Sequence, residues 1–380
     1  MLFYLPNHIL KIYIIHRLQL FFSGGVEEYI MGLLWVDYEM EFQNVVETSY
    51  RLQETVEQAY FSSLSEKIKQ IIYRDTRYNV DFLYTAYMLN DSRIMENYGV
   101  WLYELMASLM KHKSADEMKS YVIGHLEYIR QGVKQVVSQD KQPRLDELLV
   151  KTEEAIRQYQ AAEKPKSSSS YEHEIELYMQ SLLEKKRKQS MYLIQKFLAD
   201  GIPVNDIYIK ILAESMRRVG DLWHGAKIGV DLEHYCTSVT QMAMTQLYPV
   251  IFSTERKNRC LLCACPGSEL HEMGARMLTD VFENDGWDTI YLGAAVPLDG
   301  VMQAIKENHP DLVAFSVTMP QHLMVCQELV KVVRRSYPAL KIAVGGRAFL
   351  STHEIWRKWP IDFYGTDAIS LLKEVNTSLE

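Results

Sequence analysis

Apolar residues between about Val36 and Ala162 recur at three- and four-residue steps, with Leu83, Met88 and Leu89 followed by Tyr98, Leu102, Leu105 and Met106. That spacing puts one apolar stripe on each helix and predicts an all-helical domain over residues 36–162. The run Lys164-Pro-Lys-Ser-Ser-Ser-Ser170 is polar and flexible in composition and marks a linker over 163–171. A second helical block, 172–255, carries clear punctuation. One stretch divides near Lys185 and stops at Asp200-Gly201-Ile-Pro203, another runs from near Asn205 to Trp223, and a last one starts at Asp231 after a loop holding Gly225 and Gly229. Glycine caps and a following proline end helices in this way, so a bundle of about four helices is expected.

Beyond residue 256 the period changes. Strand-like runs at Cys260–Cys265, Thr289–Leu292, Leu312–Ser316, Lys341–Val344 and Ile361–Tyr364 alternate with amphipathic stretches that begin near His271, Leu298, Gln321, Thr352 and Ala368. Five strand-helix units over 256–380 predict an open, five-stranded parallel sheet of Rossmann or flavodoxin-like type, with ligands at the carboxyl ends of its strands. The fold class expected is therefore all-α followed by α/β.

Composition narrows the functions. A net charge of -8 argues against a protein that blankets nucleic acid phosphates, and the short basic run Lys185 to Lys188 reads as a solvated helix face. All five cysteines lie at or beyond Cys236, which makes no disulfide framework and suits a reducing cytoplasm. Cys260, Cys263 and Cys265 fall inside an apolar run and read as core rather than as a zinc site. The apolar extension 1–35 is broken by Pro6, His8, Lys11, His16 and Arg17. It reads as an extra helix or an upstream start, Met31 and Met40 being alternative beginnings of the folded unit, and no membrane function is expected from it.

The first strand runs into Cys265-Pro-Gly-Ser-Glu-Leu-His271-Glu-Met-Gly274, which places an imidazole at the ligand-binding edge. A lone histidine there is more often a capping or packing residue. This stretch, however, resembles the cobalamin-binding signature of the methionine synthase and mutase type, Asp-x-His-x-x-Gly, followed by Ser-x-Leu and Gly-Gly. Glu269 stands for the Asp, Ser316-Val317-Thr318 for Ser-x-Leu, and Gly345-Gly346 for the glycine pair, with 41 residues between Gly274 and Ser316 and 26 between Thr318 and Gly345. The resemblance implies a cobalamin whose cobalt takes His271 as lower axial ligand. Glu269 would accept the other ring N–H, which fixes the tautomer and raises basicity. Glutamate is one methylene longer than aspartate, so a looser relay is expected. Gly274, Ser316, Gly345 and Gly346 are small residues where backbone is expected to meet the cofactor's nucleotide tail.

In the bundle, Trp223-His224 is followed by a loop expected to reach Leu232 and then by Glu233-His234. Trp223-x9-Glu233-His234 resembles the bundle motif of light-sensing, adenosylcobalamin-dependent photoreceptors. The resemblance implies that Trp223 covers the adenosyl group, that Glu233 and His234 contact its surroundings, and that His224 takes the upper axial position after illumination. Those repressors carry a basic winged helix-turn-helix domain, whereas block 36–162 shows neither wing nor basic recognition helix. Its length and pattern are similar instead to a globin-like sensor domain, and the order of domains resembles the photocobilins, which implies biliverdin as a second chromophore. With no Cys before Cys236, such a bilin would be held non-covalently. Tyr84, Tyr87, Tyr98, Trp101 and Tyr103 could line a slot but read as core, and His112 and His125 read as surface or capping residues. The reading is a cytoplasmic sensor, not an enzyme, that signals by a change in a homo-oligomer or in a protein partner. The alternative is a corrinoid carrier for a methyltransferase system, which needs His271 and the glycines but gives Trp223 and Glu233-His234 no special task.

Overall fold

The computed structural model describes residues 40–160 and 170–379, so the N-terminal extension and nearly all of the linker lie outside the described residues. The described chain forms two compact units. The first holds the residues before the linker together with His224–Lys227, and the second holds the remainder.

In the first unit the helices are α1 (Met40–Val56), α2 (Gln58–Phe61), α3 (Glu66–Met88), α4 (Ser92–Leu109), α5 (Ala115–Val136) and α6 (Gln142–Gln158), and no strand occurs among its described residues. Their starts follow the residues. The Asp91 side chain accepts from Arg93 N at the head of α4, and Ser114 and Glu117 form a reciprocal capping box on α5. Met118, Val122, Leu126, Ile129 and Val133 make the buried stripe of α5. Gly132 lets α5 approach α1, because a β-carbon there would lie 2.3 Å from Ser49 Oγ. Tyr84, Tyr98 and Tyr103 are buried, as a core reading requires, whereas Tyr87 is half-buried and Trp101 is exposed, so the core reading does not hold for Trp101. His125 is half-buried on α5, and the desolvation there pushes its imidazole down to about 4.

The second unit opens with a helical cap. It contains α7 (Glu172–Leu183), α8 (Arg187–Ala199), a helical run leading into α9 (Ala213–His224), and α10 (Val230–Met244), then a short α11 (Tyr248–Ile251). Lys185 turns the chain between α7 and α8 at φ 56°, and Gly201 ends α8 at φ 83°. The run into α9 passes through a π-helical segment, Ile207–Leu212. The loop between α9 and α10 is shorter than expected, because α10 already starts at Val230, ahead of Glu233.

The sheet then forms from β1 (Cys260–Pro266), β2 (Asp288–Val296), β3 (Leu312–Ser316), β4 (Lys341–Gly345) and β5 (Phe363–Gly365), with helices α12 (Met273–Asn284), α13 (Leu298–Asn308), α14 (Leu323–Ser336) and α15 (Ala368–Leu379) between and after them. All pairings are parallel, in the order β2-β1-β3-β4-β5. Cys263 and Cys265 are wholly buried in β1. The helix expected near Thr352 is absent; two 3-10 turns, Arg347–Ser351 and Ile355–Lys358, replace it. Thr352 explains the break, since its hydroxyl donates to Phe349 O and accepts from Ile355 N, while Glu354 adopts φ 51°. One continuous apolar core joins cap and sheet, from Tyr178 and Phe197 to Phe282 and Trp287. A buried polar bridge accompanies it: Tyr208 donates to Asp280 Oδ2 at 2.7 Å.

Candidate corrinoid site

Strand order decides where a ligand can sit. Chain connections leave β1 toward β2 on one side and reach β3 on the other, so the carboxyl ends of β1 and β3 flank the switch point where such sheets open a crevice. His271 lies in the loop after β1, and Thr318 follows β3 by two residues.

Glu269 organises this point. Its side chain is wholly buried, and its two oxygens accept five hydrogen bonds. Oε1 takes His271 N at 2.9 Å and His271 Nδ1 at 2.7 Å. Oε2 takes Thr318 N and Met319 N, both at 2.8 Å, and His322 Nδ1 at 3.0 Å. Burial raises the carboxyl's pKa, yet the hydrogen bonds and charges of His271 and His322 outweigh it and hold Glu269 well below the usual carboxylate range. The longer arm therefore does not loosen the relay, as its extra methylene suggested; it lets one carboxylate reach both His271 and the backbone after β3.

An ionised Glu269 keeps hydrogen on His271 Nδ1, which leaves the Nε2 lone pair for a metal. The His271 side chain retains 52% of its surface while Glu269 is fully enclosed, so the ligand faces outward and its orienting group does not. No cluster of three or more His, Cys, Asp or Glu among the described residues could cage a metal alone. A single imidazole suits an ion whose other ligands come from a macrocycle. Gly274, in the first turn of α12, adds to this fit: a β-carbon there would meet no protein atom within 4 Å, so nothing in the chain requires glycine while the space before it is open.

The other glycines act differently from expectation. A β-carbon on Gly345 would meet Gly365 O at 2.8 Å, and one on Gly346, at φ 103°, would meet Val317 O at 2.3 Å. Backbone meets backbone at both positions, and the close approach sets the segment that carries the Thr318 and Met319 N–H groups. Ser316 ends β3 opposite Gly345.

Residues 259–373 match a family model described as B12 binding domain, and residues 175–248 match a second model of the same description. The second unit carries a two-part B12-binding module. These matches support cobalamin binding, with cap and sheet in the order found in the chain. Among solved structures, the monomethylamine corrinoid protein of Methanosarcina barkeri is similar at 20% identity and a TM-score of 0.49, over 56% of this chain and 100% of that one. A cobalamin-binding protein from Desulfitobacterium hafniense DCB-2 is similar at 19% identity and a TM-score of 0.31, over 53% and 97%. The methanol:cobalamin methyltransferase complex of Methanosarcina barkeri is similar at 15% identity and a TM-score of 0.31, over 66% and 92%.

In the cap, Trp223 sits in the last turn of α9, and Glu233 and His234 in the first turn of α10. Glu233 accepts from Thr237 Oγ1 at 3.0 Å and pairs with His234 Nδ1 at 2.6 Å. Desolvation raises its pKa, but these bonds and the charges of His234 and His271 outweigh it and hold the carboxyl below its ordinary value. Gln241 of α10 donates to Glu272, the residue after His271, at 3.1 Å, and Tyr291 of β2 donates to the same carboxylate at 3.0 Å. His224 belongs to the other unit. It packs within the first unit, with Nε2 3.3 Å from Glu104 Oε2 and its ring stacked on Trp101 at a centroid distance of 5.3 Å.

The sequence reading missed His322 and Gln241. His322 stands 53 positions from Glu269 and becomes its neighbour only because β1 and β3 are adjacent. No helix among the described residues is long and apolar enough to cross a membrane.

Proposed function

We propose that this chain would hold a corrinoid through His271 and serve as a carrier of a small group, such as a methyl. The observation that supports it most is the His271 Nδ1 to Glu269 Oε1 bond of 2.7 Å at the sheet's switch point, which leaves Nε2 outward. When bound, the corrinoid would supply a metal able to accept and release a carbon group. The chain's own residues orient His271, enclose Glu269 and place the cap beside the ligand. Beside the apolar core that joins cap and sheet, Gln241 of the cap donates to Glu272, next to His271, so the cap is held close to the proposed ligand.

A second reading, light sensing with adenosylcobalamin, is favoured by Glu233. That carboxylate belongs to the Trp223-x9-Glu233-His234 motif, and the charge of His271 is among the influences that lower its pKa. In this reading biliverdin is the second chromophore, a homo-oligomer or protein partner reads the state, and His224 must leave Glu104 before it can act as an upper ligand.

One experiment separates the two. The protein is loaded in the dark with methylcobalamin or adenosylcobalamin, and its mass is measured by light scattering before and after illumination. Carriage predicts the same mass in both conditions and uptake of a methyl group from a methyl donor by the reduced, loaded protein. A light-dependent change of mass confined to the adenosyl form, without methyl uptake, replaces carriage by sensing.

A further inference from the structure

We propose that a concavity of the cap, between the α7–α8 turn and α10, binds an organic polyphosphate, a molecule that joins two or more phosphates to a flat organic part. This open hollow of about 600 Å3 is lined by Lys185, Lys186, Arg187, Lys188, Gln189 and Tyr235. A volume of that order suits a small molecule. The basic run, read from the sequence as a solvated helix face, is thus one wall of a hollow, and α10 adds an aromatic ring to it. None of these residues belongs to the group around Glu269 and His271, so the inference stands apart from the reading of the cobalt ligand.

The charge of the wall lacks internal compensation. Lys186 pairs with Glu184 at 2.5 Å, while among the described residues no carboxylate pairs with Lys185, Arg187 or Lys188. The nearest carboxylates along the chain are engaged: Glu184 also accepts from Gln180, and Glu233 holds His234 and Thr237. Four consecutive cations repel one another, in a chain whose net charge is -8, and a bound polyanion relieves that repulsion. Arginine offers a planar fork that fits two phosphate oxygens, and the lysines add mobile point charges.

The wall is fixed before any ligand arrives. Lys185 N donates to Leu182 O at 2.9 Å and Lys186 N to Ser181 O at 2.8 Å, which closes the turn. The buried hydroxyls of Ser181 and Ser190 meet at 2.8 Å and clamp the end of α7 to the first turn of α8. Tyr235 is half-buried and packs against the core of cap and sheet, and its hydroxyl has no hydrogen-bond partner among the described residues. A ring held in this way offers a face to a flat organic group and a donor to a phosphate oxygen.

The test is calorimetric titration of the whole chain at low salt with adenosine diphosphate and, separately, with pyrophosphate. Saturable binding is expected for both, several-fold tighter for the nucleotide and weaker as salt rises. Arg187→Gln combined with Lys188→Gln is expected to weaken both about tenfold. Lys331→Gln combined with Arg335→Gln removes the same charge from α14 and is expected to leave both unchanged. Tyr235→Leu is expected to remove the advantage of the nucleotide over pyrophosphate. Circular dichroism checks the fold of each variant, and the exposed positions 187 and 188 keep the decisive comparison free of the core. No saturable binding, or an equal loss in the two double variants, overturns the site. Equal affinity for nucleotide and pyrophosphate in the unaltered protein overturns the assignment of an organic polyphosphate. Binding of a polyglutamate peptide without binding of the nucleotide overturns it in favour of an acidic protein partner.

Discussion

A β-carbon at position 346 would stand 2.3 Å from the carbonyl oxygen of Val317 and 2.8 Å from its nitrogen. Gly346 and Val317 are thus packed main chain to main chain, and hydrogen bonds fix the arrangement: Val317 N donates to Gly345 O at 2.9 Å, and Ala348 N donates to Val317 O at 3.1 Å. The next two residues are the ones whose N–H groups hold Glu269 Oε2. A glycine at the end of β4 therefore acts on His271 through a short path of backbone.

Gly346→Ala is expected to strain this path twice, through φ 103° and through the contact with Val317. The unfavourable dihedral alone costs about 1–3 kcal/mol. Urea unfolding of the cofactor-free protein should show that loss, and an optical titration should show weakened corrinoid binding. Gly274→Ala, by contrast, meets no protein atom, so it should leave cofactor-free stability equal or slightly higher while still weakening binding. Equal effects on stability from the two substitutions would contradict the distinction drawn between these glycines.

Glu269→Gln should be among the most damaging single substitutions in the sheet domain. Five donors converge on the carboxylate, and an amide replaces one acceptor oxygen with a donor pointing at donors. Removing one side of a buried charged network costs about 3–5 kcal/mol. The pH dependence has a definite sign. A carboxyl held below its ordinary value stabilises the fold fully above that ordinary value, near 4.3, and the contribution is lost as pH falls toward the folded-state value. Urea midpoints between neutral pH and pH 3 should fall more steeply for the unaltered protein than for the variant.

Asp280 predicts the opposite sign. Burial pushes its carboxyl up to about 6, against the hydrogen bond from Tyr208 and the charge of Arg276, which lower it. The folded state favours the protonated form, so stability is lost as pH rises from the ordinary aspartate range through about 6 and is level above it. Asp280→Asn removes the ionisable group and keeps an oxygen for Tyr208. Relative to the unaltered protein it should gain roughly 3 kcal/mol between pH 4 and pH 7, an order-of-magnitude figure from the tenfold-per-1.4 kcal/mol relation. A gap between the two proteins that does not change with pH would remove Asp280 from this role.

Much of the architecture was legible because the physics is local. Apolar runs bounded by turn residues marked all five strands, and the glycine at 201 and the turn at Lys185 divided the cap as read. β2 was read short because Gly293 and Ala295, both at positive φ, look like the end of a strand; they are irregularities within one that continues to Val296. The stretch around Thr352 has helical spacing, but a side-chain bond to the backbone and a left-handed Glu354 break it into turns. The π segment of the cap left no pattern in the spacing of apolar residues.

Site residues divide along the same line. His271 and Glu269 are two positions apart, so their pairing could be read from the motif. His322 owes its place to the pairing of β1 with β3, which no window of sequence displays. The extra methylene of Glu269 pointed to slackness when only one partner was in view, and to reach once five were present. Gly345 and Gly346 were recognisable as a pair, but the atoms that demand them, Gly365 O and Val317 O, come from separate segments.

The claim on which the account depends is that His271 Nε2 is the protein's ligand to cobalt. Electron paramagnetic resonance of the cob(II)alamin-loaded protein, grown with nitrogen-15 histidine, tests it directly. The account predicts a doublet splitting in the unaltered protein that disappears in His271→Ala, while that variant still folds because its side chain is half exposed. A doublet that persists in His271→Ala, or a triplet from the cofactor's own base in both proteins, would contradict it.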